Sequence, residues 1–329
     1  DYMTTIYDIA KKCNVAASTV SRALNDDDKI SQETRDRVKA MAKKLNYKQN
    51  ELARSLKSGK SLTIGIITND LATFAVPRII DGIEEIANQS GYNIIVGNTS
   101  NNMDKENQYI DILSKKQIEG IIFVGTWAEL DKDCPYLDID LPFVAINRHY
   151  HDDRVITINH DDINVGYIGT QYLIDKGYNK IAFINGPMEE ISPPNRLKGY
   201  KKALNDNNLT IDNNIVFSGE WHFDTGYKYT NEILKINNQV DAIVCSNDQI
   251  ASGCIYSIKA KNKEVPEDIA VIGCDDRNIS RNFKPLITTI RLPLKEMGKS
   301  ASKKLIDMIN NKKVSKEVLT SSILKRDSA

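Results

Sequence analysis

The chain has 329 residues, of which 41% are hydrophobic and 27% are charged. This length suits two or three domains, and this composition is typical of a soluble globular protein. No stretch approaches the roughly 18 consecutive apolar residues that a membrane helix needs, and the start of the chain lacks the pattern of a signal peptide. We therefore expect a cytoplasmic protein with no membrane partner.

The charge is unevenly spread along the chain. The 44 basic and 44 acidic side chains balance overall, but residues 1–60 carry 13 Lys and Arg against 8 Asp and Glu, a net +5. The rest of the chain therefore carries −5. A basic head on an acidic body indicates a phosphate-binding module joined to a core that does not bind DNA.

Residues 5–25 predict a helix-turn-helix. Thr5 and Asp8 have the spacing of a capping box at the start of a first helix. An amphipathic stripe at i, i+3, i+4 and i+7 follows, and it consists of Ile6, Ile9, Ala10 and Cys13. We expect a tight turn at residues 14–16 and then a second helix from about Ala17.

The outward face of the second helix carries side chains suited to a DNA major groove. Ala17, Ser18, Ser21 and Arg22 lie on that face. Arg can bind guanine O6 and N7 in a bidentate pair, and Ala can touch a thymine methyl group. On these residues alone, an ordinary helical hairpin on the surface of an enzyme remains the alternative.

Residues 31–60 predict a third helix followed by a linker. Ser31 opens the helix, which runs to Leu45 and turns its basic side chains outward. In the linker, ELARSLKS can form about two helical turns, which is too short to be stable alone in water. Its apolar face would contain Leu52, Ala53 and Leu56.

The motifs TIYDIAKKCNVAASTVSRALN, TRDRV and LNYKQNELARSLKSGKS resemble those of the LacI/GalR (lactose-repressor) family of bacterial transcription regulators. The resemblance implies a helix-turn-helix domain at 1–49, a hinge helix at 50–60 and a ligand-binding and dimerisation core at 61–329. The sequence departs from the family at Ala16, usually a capping Ser, and at Gln49, usually Pro.

The family's hinge helix folds on the operator and inserts a Leu into the minor groove, and Leu56 stands at that position. The alternative is that Leu56 packs on its own core. The resemblance and the helix faces together predict the following operator contacts: Thr5, Tyr7, Ala17, Ser18, Thr19, Ser21, Arg22, Asn25, Tyr47, Asn50, Ala53, Arg54 and Leu56.

From Ser61 onward, short apolar runs alternate with helical periods. The runs predict strands at 62–68, 92–99, 120–125, 142–147, 155–159, 180–186, 215–219, 241–247 and 269–276. Helices are predicted at 77–90, 105–117, 163–176, 195–207, 225–235, 249–261 and 294–310. Continuous apolar strands separated by helices indicate an α/β core of parallel sheets covered on both faces.

So many strands favour two lobes over one open sheet. The resemblance implies a periplasmic-binding-protein-like core, in which two doubly wound parallel-sheet lobes follow the all-α headpiece. The first lobe would span about 61–160 and 291–320, and the second about 161–290 and 321–329.

Ligands of doubly wound sheets bind beyond the carboxyl ends of the strands. The side chains expected to contact a ligand there are Asn69, Phe74, Asn147, Ser192, Arg196, Trp221, Asn247 and Asp275. The resemblance places all of these residues except Asn69 and Ser192 at positions where family members contact their ligands. Guanidinium donors, carboxylate acceptors and an aromatic face together suit a polyol.

Several of these residues have other interpretations. Trp221 could anchor a core, and Arg196 could pair on the surface. Asn247-Asp248 could cap a helix, with Asp248 the expected cap, and Asp276 is expected to be structural.

The sequence gives no sign of an enzyme, a cofactor or a metal site. It contains no G-x-S-x-G, Walker or dinucleotide-binding motif, and the neighbouring Asp275 and Asp276 would diverge at a strand end. His149 and His151 lie in a polar loop typical of a solvated turn. The five cysteines lack metal-site spacing, and we expect buried, reduced thiols.

We therefore expect a repressor that binds a palindromic operator as a homodimer, with half-sites about 34–36 Å apart. A sugar or sugar phosphate in the interlobe cleft would release the DNA, with a coupling free energy of about 1–3 kcal/mol. A nucleobase or nucleoside effector, a phosphorylated carrier protein acting as corepressor, and a non-regulatory binding protein remain alternatives. No C-terminal heptad segment supports a tetramer.

Overall fold

The computed structural model describes residues 4–47, 60–125, 139–148, 155–236 and 239–329. The chain divides into two compact units, Asp1–Ser61 and Leu62–Ala329, and each is described by itself. The predicted operator contacts at Asn50, Ala53, Arg54 and Leu56 lie outside the described residues.

The described part of the first unit, residues 4–47, contains three packed helices: α1 (Ile6–Cys13), α2 (Ala17–Leu24) and α3 (Gln32–Lys44). The predicted capping box is confirmed, because Thr5 Oγ1 accepts a hydrogen bond from the Asp8 amide and the Asp8 carboxylate accepts one from the Thr5 amide at 2.8 Å. The apolar stripes meet in a core of Ile9, Ala10, Cys13, Val20, Ala23, Val38 and Ala42.

The first sheet of the second unit has the strand order β11-β5-β4-β3-β1-β2. Its strands are β1 (Thr63–Thr68), β2 (Asn93–Asn98), β3 (Gly120–Val124), β4 (Phe143–Ile146), β5 (Ile156–His160) and β11 (Glu317–Leu319). All neighbours in this sheet pair in parallel. We call this sheet and its helices lobe 1.

The second sheet has the order β12-β10-β9-β8-β6-β7. Its strands are β6 (Ile181–Asn185), β7 (Val216–Ser218), β8 (Ala242–Cys245), β9 (Ala270–Cys274), β10 (Thr288–Arg291) and β12 (Ser322–Leu324). Its neighbours pair in parallel except β10 and β12, which are antiparallel. This sheet and its helices form lobe 2.

Helices cover both sheets. They are α4 (Ala75–Gln89), α5 (Met103–Lys115), α6 (Asp162–Asp175), α7 (Ser192–Asp206), α8 (Phe223–Ile236), α9 (Asp248–Lys259), α10 (Asn278–Asn282) and α11 (Leu294–Ile309). The nine predicted strands and seven predicted helices of this unit are all present, with ends that differ by at most three residues. Four short elements, β10, β11, β12 and α10, have no counterpart among the predicted ones.

Pairs of helices approach each other closely at glycines. A Cβ atom on Gly166 of α6 would lie 1.9 Å from the carbonyl oxygen of Arg196 in α7, and one on Gly199 of α7 would lie 1.9 Å from that of Ile163. The same reciprocal arrangement joins α4 with α11 at Gly82 and Gly298. Only glycine permits this spacing, so these residues fix how each pair of helices packs.

The chain passes between the two sheets at three places in its described part: between β5 and α6, between β10 and α11, and between β11 and β12. At the first crossing, His160 ends a strand of lobe 1 and Asp162 begins a helix of lobe 2. Residues at these crossings therefore lie where one lobe would turn relative to the other.

Candidate functional site

The headpiece presents α2 with its polar face outward. Ser18 and Arg22 are exposed, while Val20 and Ala23 point into the core. The Arg22 Nε lies 3.9 Å from an Asp27 carboxylate oxygen, and its side chain keeps 58% of its surface exposed. The guanidinium is thus held loosely and can reach a base edge.

The N-cap of α2 and the exposure of the remaining predicted operator contacts can be read from the headpiece. Ala16 is the N-cap residue of α2 and makes no side-chain hydrogen bond to the helix, as its departure from the family pattern predicts. Tyr7 is 73% exposed on α1, whereas Tyr47 packs partly against the headpiece core. The other described residues predicted to contact the operator are exposed or half-buried: Thr5, Ala17, Thr19, Ser21 and Asn25.

A cavity of about 800 Å³ lies between the lobes of the second unit, beyond the carboxyl ends of the strands. Seven of the eight predicted ligand residues line it: Asn69, Phe74, Asn147, Ser192, Arg196, Trp221 and Asp275. Further lining residues that sequence analysis did not single out include His160, Arg277, Asn101 and Gln249.

Asn247 is predicted to contact the ligand, but the structure places it away from the cavity lining. It is 0% exposed and does not line the cavity. Its Oδ1 accepts a hydrogen bond from the Ile250 amide at 2.8 Å, and its Nδ2 donates to the Trp221 carbonyl at 3.2 Å. Asn247 is therefore the cap of α9, a role that sequence analysis gave to Asp248, and its side chain holds the loop that carries Trp221.

Asp162 organises the lobe 2 side of the cavity. Its Oδ1 accepts hydrogen bonds from Arg196 Nε at 2.8 Å and from His160 Nε2 at 3.1 Å, and its Oδ2 accepts one from Ser192 Oγ at 2.8 Å. Burial alone would raise the pKa of Asp162, but the charges of His160 and Arg196 outweigh burial and hold the pKa well below its usual range. Asp162 therefore stays ionised and neutralises Arg196.

Arg196 is buried, with 5% of its surface exposed, and it lines the cavity. Besides its bond to Asp162, its Nη1 donates to the Ser246 carbonyl at 2.5 Å. Its guanidinium carbon lies 5.9 Å from the centre of the Trp221 ring. The close crossing of α6 and α7 at Gly166 and Gly199 fixes the backbone that carries Arg196, and its bonds to Asp162 and Ser246 orient the guanidinium.

Trp221 forms one wall of the cavity. Its Nε1 donates to Glu190 Oε1 at 2.9 Å, and a Cβ atom on Gly186 would lie 2.5 Å from the ring. The indole thus lies against the backbone at Gly186 with its polar edge already bonded. An aromatic face held this way can cover the apolar face of a sugar ring.

Asp275 and Arg277 form a second ion pair that lines the cavity. Asp275 has a φ of 99°, a strained conformation for a non-glycine residue, and its Oδ2 accepts from Arg277 Nε at 2.9 Å. Behind it, burial and the Asp275 charge raise the pKa of Asp248 to about 8. No sequence signal distinguishes Arg277, because its partners come together only in the folded loop after β9.

Two other polar groups near the strand ends are structural. Arg148 follows β4 but is 1% exposed and forms a bidentate pair with the fully buried Glu106, at 3.1 Å for both bonds. Asp276, as expected, does not line the cavity and binds Arg281, Arg291 and Arg326.

Within the described residues, no group of three or more His, Cys, Asp or Glu side chains is arranged to hold a metal ion. No helix in the described ranges is long and apolar enough to cross a membrane. Four cysteines, at 13, 245, 254 and 274, are buried free thiols, and Cys134 lies outside the described residues.

Both parts of the chain match models of known protein families. Residues 5–50 match the family model of bacterial regulatory proteins of the lacI family. Residues 61–326 match that of periplasmic binding proteins and the sugar binding domain of the LacI family.

Similar full-length proteins are known. The HTH-type transcriptional regulator RegA of Clostridium saccharobutylicum is 32% identical over 328 residues, which cover 99% of both chains. The HTH-type transcriptional repressor PurR of Histophilus somni (strain 2336) is 33% identical over 318 residues, 96% of both. The crystal structure of the lac repressor dimer bound to operator and the anti-inducer ONPF matches with a TM-score of 0.84 and 26% identity, and covers 99% of both chains. The chain belongs to the LacI family: it is a helix-turn-helix transcriptional regulator with a ligand-binding domain.

Proposed function

We propose that the chain binds a palindromic operator as a homodimer and that an uncharged sugar in the interlobe cavity controls this binding. The main support for an uncharged effector is that the positively charged arginine side chains in the cavity form ion pairs. Arg196 is neutralised by Asp162, and Arg277 is neutralised by Asp275. Among the described residues that line the cavity, each arginine is therefore paired with a carboxylate, which leaves neither as a free positive charge for a phosphate.

The aromatic side chains support the same class. Trp221 and Phe74 line the cavity together with amide groups from Asn69 and Asn147. Sugars present hydroxyl groups at their edges and C–H groups on their faces, so a site for them combines hydrogen-bonding groups with aromatic surfaces. The paired arginines favour an unphosphorylated sugar over a sugar phosphate.

Apolar surface on both lobes supports a homodimer. On lobe 1, Leu71 and Val96 are 40% and 37% exposed and line a groove with Pro77 and Ile80. On lobe 2, Tyr227 and Tyr256 are 40% and 54% exposed, and their rings lie 5.9 Å apart. A second copy of the chain would cover these surfaces and place two α2 helices on successive half-sites, about 34–36 Å apart.

A nucleobase effector is the second candidate. Phe74 and Asp275 both line the cavity, and Arg277 contacts the Phe74 ring and the Asp275 carboxylate. The Asp275 carboxylate can accept hydrogen bonds from N–H groups. A flat base could stack on the ring while it donates to that carboxylate. We infer that the site does not perform catalysis, because Asp162 is held ionised beside Arg196 and both of its oxygens already accept hydrogen bonds from the protein.

The test has two steps. Thermal-shift screening of sugars, sugar phosphates and nucleobases should find an unphosphorylated mono- or disaccharide that raises the melting temperature. The same compound should change operator affinity by about 5- to 150-fold in gel shifts, a coupling typical of allosteric proteins. Stabilisation by sugar phosphates or nucleobases alone would refute the proposed effector class.

A further inference from the structure

Glu190 has one carboxylate oxygen in use and one available to a ligand. The residue lines the cavity and is exposed. Its Oε1 accepts a hydrogen bond from Trp221 Nε1 at 2.9 Å, whereas its Oε2 has no hydrogen-bond or ion-pair partner among the described residues. Carboxylate oxygens accept hydrogen bonds, so Glu190 can still bind a donor that enters the cavity.

The arginines of the cavity do not compensate the negative charge of Glu190. Arg196, whose guanidinium carbon lies 5.9 Å from the centre of the Trp221 ring, is paired with Asp162. The other arginine that lines the cavity has a carboxylate of its own. A ligand that binds beside the Trp221 ring therefore meets a carboxylate without a counter-ion from the described part of the chain.

The pair of Trp221 and Glu190 is held in place from several sides. The Trp221 carbonyl accepts a hydrogen bond from Asn247 Nδ2 at 3.2 Å, and the ring lies against the backbone at Gly186. On the other side, the Glu190 amide donates to the Pro187 carbonyl at 3.2 Å, which closes a turn in the loop before α7. The carboxylate therefore has a defined place at the polar edge of the indole.

This edge is where a stacked sugar presents its hydroxyl groups. The Nε1–H bond of an indole lies in the plane of the ring, so its acceptor lies at the rim of the aromatic face. A hydroxyl group there can donate to Glu190 Oε2, and a hydrogen bond to a charged acceptor is stronger than one to a neutral acceptor. The oxygens of a phosphate carry negative charge, so the same carboxylate repels them.

We propose that Glu190 is a specificity-determining residue of the effector site. Its Oε2 accepts a hydrogen bond from a hydroxyl group of the sugar that stacks on Trp221, and its charge disfavours a phosphorylated sugar at the same place. The proposal rests on the proposed function of the cavity, and it names the residue that distinguishes a sugar from its phosphate.

Glu190→Gln removes the charge and keeps the shape of the side chain. Its amide oxygen can still accept the hydrogen bond from Trp221 Nε1, so the indole keeps its support. Glu189→Gln is the matched control, because Glu189 is exposed, does not line the cavity and gives the same change in net charge. Thermal unfolding of both variants checks that they fold.

The probes are D-glucose, D-galactose and D-ribose, each paired with its phosphate: D-glucose 6-phosphate, D-galactose 6-phosphate and D-ribose 5-phosphate. Calorimetry measures the affinity of the full chain for each probe. For a sugar that binds the unmodified protein, we expect Glu190→Gln to weaken binding about fivefold, because a charged acceptor becomes a neutral one.

The phosphate of that sugar should change in the opposite direction. We expect Glu190→Gln to bind it about fivefold more tightly, because the variant lacks the repulsion between two unit charges about 4 Å apart in water. A role limited to supporting Trp221 would weaken the sugar and its phosphate together. Glu189→Gln should change neither affinity by more than about twofold, because salt screens a charge away from the cavity.

Salt gives a second measurement of the same charge. The preference of the unmodified protein for the sugar over its phosphate should decrease at high salt, whereas that of Glu190→Gln should not. If a sugar binds but Glu190→Gln leaves the ratio of the two affinities unchanged, or only matches Glu189→Gln, this proposal is overturned and the proposed function stands. If the unmodified protein binds only phosphates, or none of the probes, the proposed effector class fails and this proposal fails with it.

Discussion

The guanidinium carbon of Arg277 lies 4.6 Å from the centre of the Phe74 ring. Phe74 precedes α4 of lobe 1, whereas Arg277 follows β9 of lobe 2, so the contact joins the lobes beside the cavity. Arg277 also binds Asp275 at 2.8 Å. A ligand that bonds to Asp275 would therefore affect Arg277, the partner of Asp275 that joins the two lobes.

Arg277→Met should weaken the contact between the two lobes. A cation–π contact contributes about 0.5–2 kcal/mol, so its loss should populate more open lobes and increase the radius of gyration in small-angle scattering. Lys228→Met is the matched control, because Lys228 lies 4.8 Å over the Tyr229 ring within lobe 2. Identical scattering from both variants would show that Arg277 does not hold the lobes.

Asp276→Asn should reveal a pH-dependent contribution to stability. Burial alone would raise the pKa of Asp276, but hydrogen bonds from Arg281, Arg326 and Arg291 outweigh it and lower the pKa to about 2. A pKa lowered by folding stabilises the protein above the unfolded value near 4, and this stabilisation is lost as the pH falls from about 4 to 2.

Allowing for screening at the half-exposed arginines, we expect Asp276→Asn to cost about 1–2 kcal/mol at neutral pH. Urea unfolding across pH 2–7 measures the difference between the variant and the unmodified protein. That difference should shrink toward pH 2. A constant difference would mean that the charge of Asp276 contributes nothing.

Glu106→Gln should destabilise lobe 1 strongly. It leaves Arg148 as a buried charge without its carboxylate, which typically costs about 3–5 kcal/mol. Asp111→Asn on the same helix is the control, because its pair with Lys115 is exposed, with 61% and 74% of the side chains accessible. That pair should contribute no more than about 0.5 kcal/mol. Similar unfolding free energies for the two variants would contradict this assignment.

Gly166→Ala should weaken effector binding as well as stability. The new methyl group would lie 1.9 Å from the Arg196 carbonyl oxygen, so α7 must shift and carry the Arg196 guanidinium with it. We expect a loss of about 1–3 kcal/mol in stability and a clear loss of affinity in calorimetry.

Gly169→Ala on the same helix is the control for that change. Its methyl group would meet the Ile290 Cδ1 atom at 2.8 Å, the end of a side chain that can move. Both variants gain the same helix propensity. If Gly169→Ala loses as much effector affinity as Gly166→Ala, the helix crossing does not position Arg196.

Arg22→Ala should weaken specific operator binding by about 1–3 kcal/mol. The reason is the loss of an exposed guanidinium on the outward face of α2. Gel shifts on the operator and on an unrelated duplex separate base reading from phosphate binding. Equal weakening on both duplexes would remove Arg22 from base recognition.

The sequence predicted elements wherever local patterns decide the structure. The capping box at Thr5 and the apolar runs of the core strands are such patterns. β10 (Thr288–Arg291) was missed because Thr-rich segments give no apolar run, although three of its four residues are buried. Its strand character comes from pairing with β9 and β12, which is a tertiary effect.

The candidate site was predicted only in part, for a related reason. A polar residue after a parallel strand faces either the cavity or the next helix, and the sequence does not distinguish the two. Asn147 lines the cavity, whereas Asn247 caps α9. His160 and Arg277 were missed because their significance comes from partners that only the folded loops bring near.

The most direct test of the account is selection of random duplex DNA by the purified protein, with and without the stabilising sugar. We expect enrichment of inverted repeats whose halves lie one helical turn apart, and a marked change in their affinity when the sugar is added. Absence of enrichment, or enriched repeats whose affinity ignores every sugar tested, would contradict the account.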